Sequence, residues 1–188
     1  MVTAMTPIER TRRDSCIPPP QALALLDQPL EYMFADHQRH RAACLALRGF
    51  ADLRQVERVE ADQVIAYLSA DMPLHHEDEE ADLFPALRRR AEATDDLGPV
   101  LARLIQDHRN GERMADSVVD ALGARPAEDP VRIDLATVEL MQAYVALEDR
   151  HLAIENSVVL AIARIRLKRS DLRAVSRGMK ARRGVVVR

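Results

Sequence analysis

The chain has 188 residues with a formal net charge of −3, 47% apolar and 30% charged side chains, a size and balance that suit one globular domain and exclude disordered or fibrous classes. Aromatic residues make up only 3%, with no Trp, which disfavours surfaces that stack bases or anchor partners through aromatic rings. The charge is uneven, because residues 1–163 sum to −12 and residues 164–188 to +9.

The run Pro18-Pro19-Pro20 cannot continue a helix and sets residues 1–28 apart as an N-terminal arm. From Pro29, a residue suited to a first helical turn, apolar or small residues recur at Leu30, Met33, Phe34, His37, Cys44 and Leu47, which predicts helix A up to about Gly49 to Leu53. Helix B is expected from about Glu60 to Ala93, with Leu68, Met72, Leu83 and Leu87 on its buried side. Helix C follows the capping candidates Asp95-Asp96, shows Leu97, Leu101, Leu104, His108, Ala115 and Leu122 on one face, and stops at Gly123. Helix D starts near Val131 and carries Leu140, Met141, Tyr144, His151, Glu155, Val158 and Ile162. No stretch alternates with period two, so no sheet is expected. The pattern predicts an all-α fold, an antiparallel up-down four-helix bundle over 29–166 with a short basic C-terminal tail over 167–188.

Chemistry enters with the six histidines, His37, His40, His75, His76, His108 and His151, which fall near the middle of all four helices. A lone histidine on an apolar face is usually a hydrogen-bonded core residue. Several imidazoles aimed into one core would be costly, whereas a shared metal satisfies them together. His75 is followed by Glu79 and His151 by Glu155, a four-residue spacing that places each pair on one helix face, about 6 Å apart along it. His76 with Glu80 is spaced equally well. Two similar hairpins would then offer four nitrogens and two carboxylates, a set suited to two carboxylate-bridged metal ions. Its nitrogen content favours iron over magnesium or calcium and leaves manganese and zinc open.

The strings Asp36-His37-Gln38-Arg39-His40, His75-His76-Glu77-Asp78-Glu79-Glu80 followed by Leu83-Phe84-Pro85, and His151-Leu152-Ala153-Ile154-Glu155 resemble the hemerythrin-like, or HHE cation-binding, family of non-haem di-iron proteins. The resemblance spans about 30–166. It implies a bundle around a carboxylate-bridged di-iron centre with His37, His75, Glu79, His108, His151 and Glu155 as metal ligands. The family's ligand histidine stands ten residues before the proline of L-F-P, which selects His75 over His76 because Pro85 is ten residues on. Oxygen-carrying members have a second histidine on helix C where this chain has Glu112, and a His-x-x-x-x-Asp on helix D. The set here is more similar to bacterial di-iron proteins linked to nitric oxide stress and iron–sulfur repair, although their Cys-containing N-terminal domain is represented only by Cys16.

The expected activity is therefore binding or reduction of a small oxidant (nitric oxide, peroxide or O₂) with an unidentified electron donor. The alternative class is an iron store, donor or metal-dependent regulatory module. His40 offers an additional ligand or proton relay, Glu148 a partner that orients His151, and Tyr144 an access-lining or packing residue. All six candidate ligands precede Arg164, so the tail is expected to be dispensable for the metal site and to fold against the acidic body. Without aromatics or a reading motif, it is not expected to bind nucleic acid. Two cysteines, Cys16 and Cys44, make no disulfide framework, and no apolar run reaches the ~18 residues of a membrane span, so a reducing, cytoplasmic setting is expected.

Overall fold

The computed structural model describes residues 16–185. Its described residues are almost entirely helical and build an all-α bundle. Most of the expected arm, residues 1–15, lies outside them. A 3₁₀ turn, Leu23–Asp27, tucks Leu26 fully into the core and leads into α1 (Pro29–Leu53), which begins on Pro29 as expected and ends where Arg54 turns left-handed at φ 54°.

The second helix, α2, runs through Arg58–Ala66, Met72–Asp78 and Phe84–Arg90, joined by widened π turns at Tyr67–Asp71 and Glu79–Leu83. Helix α3 is Leu97–Gly123. Asp95 does not cap it; that carboxylate instead closes a box with Glu92 around the 3₁₀ turn Ala93–Asp95 and accepts from Arg166. Helix α4 comprises Leu135–Ile154, the π turn Glu155–Val159 and Leu160–Arg166, and starts on Asp134, whose side chain accepts the Thr137 N–H at 2.8 Å. Among the described residues the one strand pairing, against the expectation of no sheet, is a two-residue antiparallel pair, Gln55–Val56 with Val131–Arg132, too short for an alternation of side chains to announce it.

The basic segment forms a fifth helix, α5 (Arg169–Arg182), in contact with α1, α2 and the Leu23–Asp27 turn. Val175 and Met179 are buried in the core, and Arg182 and Arg183 donate to Asp78 at 2.8 and 2.7 Å. Arg90 on α2 donates to Asp171 at 2.8 Å. Folding of this segment against the acidic body is thus what the structure shows.

Buried apolar residues form two clusters. One joins Cys44, Leu47 and Phe50 of α1 to Val64, Leu68 and Met72 of α2, Ala115, Val118 and Leu122 of α3, and Met141, Tyr144 and Val145 of α4. The other joins Leu30 and Met33, Leu83 and Leu87, Leu101 and Leu104, and Val159, Leu160 and Ala163 of the same four helices, with Val175 and Met179 of α5. On each of α1 to α4, the buried histidine or His/Glu pair lies in the sequence interval between the two clusters. Among the described residues no helix is long and apolar enough to cross a membrane.

Candidate metal centre

A histidine followed four residues later by a glutamate overshoots a full α-helical turn by about 40°, and three such steps drift by about 120°. Yet His75, Glu79, Leu83 and Leu87 are all buried, as are His151, Glu155, Val159 and Ala163. The π turns absorb the drift. Each begins on the glutamate itself, with the Phe84 N–H reaching the Glu79 carbonyl and the Leu160 N–H reaching that of Glu155. Pro85 assists in α2, because a proline inside a helix crowds the carbonyl four residues back, here Ala81 within the widened turn. Pro73 stands in the same relation to the turn at Tyr67–Asp71. The four-residue spacing and the prolines were the sequence signals for these turns, which helical periodicity alone passes over.

The six candidate residues converge. Two donor groups, His37, His75, Glu79 and Glu155, and Glu79, His108, His151 and Glu155, each bring four ligand atoms within 4.8 Å of one another, and the two groups share both glutamates. Glu79 turns Oε1 toward the first group, 3.9 Å from His37 Nε2 and 3.7 Å from His75 Nε2, and Oε2 toward the second, 3.3 Å from His108 Nε2. Glu155 does the reverse, with Oε2 at 3.3 Å from His37 Nε2 and Oε1 at 3.7 Å from His108 Nε2 and 3.0 Å from His151 Nε2. The Nε2 atoms of His37 and His75 face each other at 3.2 Å.

Bonds on the far side of the imidazoles fix which nitrogen faces inward. His108 Nδ1 donates to Glu80 Oε1 at 2.7 Å, and His75 Nδ1 lies 3.3 Å from Asp36 Oδ2. Asn156 commits its amide N–H to the Leu152 carbonyl at 2.7 Å, so its oxygen accepts from His37 Nδ1 at 3.1 Å. Carboxylate and amide oxygens can only accept, so the Nδ1 protons are held outward and the Nε2 atoms are directed inward.

Whether this cluster suits a cation is answered by its unmet bonding capacity. Both oxygens of Glu79 and of Glu155, together with Nε2 of His108 and of His151, are buried without a hydrogen-bond partner. Such groups are rare in a folded core because each forfeits its hydration. Cations at the two donor groups would meet all of them at once, so the residues fit divalent metal. Protons partly substitute in the metal-free chain. Burial lowers the His37 pKa to about 4, but for His75 burial is outweighed by Glu79 and Asp36, which push it up to about 10, and for His108 by Glu155 and Glu79, which push it up to about 11. Burial and the facing Glu155 raise Glu79, while the surrounding imidazoles overcome burial and hold Glu155 well below the usual carboxylate range.

Among the other residues singled out in the sequence, His76 is buried but outside both donor groups, with Nδ1 bonded to Glu112 Oε1 at 2.9 Å and its ring stacked on His108 at 4.0 Å. Glu112, which replaces a helix C histidine of the oxygen carriers, therefore bonds His76. His40 also lies outside both groups, with Nε2 3.4 Å from Glu148 Oε2 and 3.5 Å from the Tyr144 hydroxyl, which donates to Met72 Sδ. Glu148 thus faces His40, whereas the expectation paired it with His151, whose Nδ1 has no bond. Phe34, expected on the apolar stripe of α1, is 41% exposed beneath the Arg164 guanidinium. The reach of Asp36 to His75 was not anticipated, although Asp36 stands next to His37 in the quoted string.

The chain is 28% identical over 174 residues to an uncharacterised protein of Haemophilus influenzae, an alignment covering 88% of this chain and 96% of the relative. The model of the hemerythrin HHE cation-binding domain matches residues 28–163. That match takes in all four helices that supply the buried His/Glu cluster, and the chain belongs to the hemerythrin HHE cation-binding family.

Proposed function

We propose that the protein holds two iron ions, one between His37 and His75 and the other between His108 and His151, with Glu79 and Glu155 shared by both, and that it reacts with a small oxidant. The observation that carries this is the division of each glutamate, one oxygen toward each donor group. Charge supports it, since Glu79, Glu155, Asp36 and Glu80 supply four carboxylates against two divalent cations. The nitrogen-rich donor set favours iron over magnesium or calcium. An up-down arrangement of α1 to α4, with α5 as an addition, belongs to the same proposal.

When bound, the iron pair would supply reducing electrons to nitric oxide, peroxide or O₂, because six protein donors leave positions open for a small ligand. The chain's own residues do the rest. Asn156, Asp36 and Glu80 keep three imidazoles oriented, and the two apolar clusters limit water around the centre. The His40–Glu148 pair is suited to hold a proton, because burial raises the Glu148 pKa to about 7. A second reading, an iron donor or regulatory module, draws on Arg182 and Arg183, which grip Asp78 beside Glu79 and link the metal-binding turn to α5.

Metal analysis of the anaerobically purified protein, followed by stopped-flow mixing of the reduced form with each oxidant, tests the proposal. Two iron atoms per chain and rapid oxidation by nitric oxide or peroxide are expected. Two zinc or manganese ions would change the metal, a spectrum fully restored by degassing after hours under O₂ would indicate a carrier, and inertness toward all three oxidants would favour the second reading.

A further inference from the structure

A surface cleft of about 320 Å³ lies beside the candidate centre, lined by Pro73, His76, Glu77, Glu80, Ala81, Arg109 and Glu112. Three of these are carboxylates and one is a guanidinium, so the cleft favours cations over anions. Its carboxylates are tied to the centre. Glu80 accepts from His108 Nδ1, while Glu112 accepts from His76 Nδ1, and the His76 ring stacks on His108 at 4.0 Å with only 11° between the planes. His76 is 3% exposed, and its Nε2 is buried with no hydrogen-bond partner. Since the Glu112 carboxylate can only accept, the His76 proton sits on Nδ1, and Nε2 presents a lone pair suited to a divalent cation. His76 thus stands one ring layer from a proposed ligand and in the wall of this cleft.

We propose that this cleft is the route by which divalent metal reaches the centre, with Glu77, Glu80 and Glu112 drawing the hydrated cation in and His76 Nε2 accepting it on its way to His108. The inference rests on the proposed metal centre and adds the entrance to it. The cleft is a passage, because the donor groups that bring at least three ligand atoms within 4.8 Å of one another do not include His76, Glu80 or Glu112. An acidic funnel of this kind raises association rates through its field, an effect that salt screens.

The test is stopped-flow mixing of metal-free protein with Co²⁺, followed through the visible absorption of the nitrogen-coordinated ion, with the equilibrium number of ions measured separately. The double variant Glu77→Gln, Glu112→Gln alters two solvent-facing residues that are not proposed ligands. It should bind as many ions as the parent at an association rate about tenfold lower, with a weaker dependence on salt. Arg109→Gln should load faster, His76→Ala slower, and Glu139→Gln, twelve residues before His151 on α4, at the parent rate. Unchanged rates in the cleft variants, or an equal slowing by Glu139→Gln, would overturn the entrance while leaving the centre in place. A parent protein that takes up no metal would overturn the centre, and the entrance with it.

Discussion

His108 sits where the contacts of both glutamates meet, with Nε2 at 3.3 Å from Glu79 and 3.7 Å from Glu155. His108→Ala should therefore lose at least the ion of the second donor group, and with it metal-derived stability of about 2.7 kcal/mol at a hundredfold excess of metal over Kd. Elemental analysis and thermal melts at fixed free metal check this. The register expectation is sharpened by the surroundings of each side chain. His75→Ala should lose the ion of the first donor group and Glu79→Ala, shared by both groups, should impair both ions, whereas His76→Ala should leave the equilibrium ion count intact. Glu80→Ala should have an intermediate effect, lowering affinity by about 10–100-fold, because Glu80 holds the His108 ring. Competition with a chelator of known affinity gives the order. Protons provide a further check: His75 and His108, at about 10 and about 11 in the metal-free chain, are charged at pH 7 and must lose their protons to bind metal. Affinity should rise with pH through this range, and calorimetry in buffers of different ionisation enthalpy should record protons released on binding.

At the scale of the elements, α5 holds no candidate ligand, yet it is built into the bundle. Ending the chain at Lys168 would expose the partners of Val175 and Met179, at about 1.5–3 kcal/mol each, and leave Asp78, 1% exposed, without Arg182 and Arg183. The truncated chain should lose about 3–6 kcal/mol in chemical denaturation and, against the expectation that the tail is dispensable for the metal site, bind metal more weakly, because Asp78 adjoins the π turn that begins at Glu79. Gly178 is part of the same contact, since a side chain there would run into the Asp82 carboxylate. Its role was invisible in a basic, polar tail, where charge implied only attraction to the acidic body. The π turns were hidden from helical periodicity, though not from the His/Glu spacing and the prolines. A regular helix would carry Leu83 and Leu87 away from the face that holds His75, and only the widened turn reconciles their shared burial.

Across the whole molecule, a polar layer of four imidazoles and two carboxylates is kept buried by an apolar cluster on either side of it in every one of α1 to α4. Truncating either cluster, by Leu47→Ala or by Leu104→Ala, should cost about 2–5 kcal/mol in the metal-free protein, measured by denaturant titration. The helices, their faces and the six candidate residues were readable in the sequence because period and spacing are local, and because histidine within an apolar stripe conflicts with burial unless a partner is supplied. The choice between His75 and His76 was not readable from periodicity, since adjacent residues on a helix differ by about 100° and both proved buried; only the resemblance, through the ten-residue offset to Pro85, selected His75. Only the packing of α2 against α1 and α3 determined that His75 meets His37 while His76 meets Glu112 and stacks on His108. The sequence by itself determined an all-α chain with a nitrogen-rich, carboxylate-containing interior, because residue type and periodicity act over a few residues. The tertiary structure decided the division of each glutamate between two donor groups, the bonds behind the imidazoles, the acidic cleft at His76 and the clasp of α5 on Asp78, because each depends on side chains tens of residues apart brought within a few ångströms.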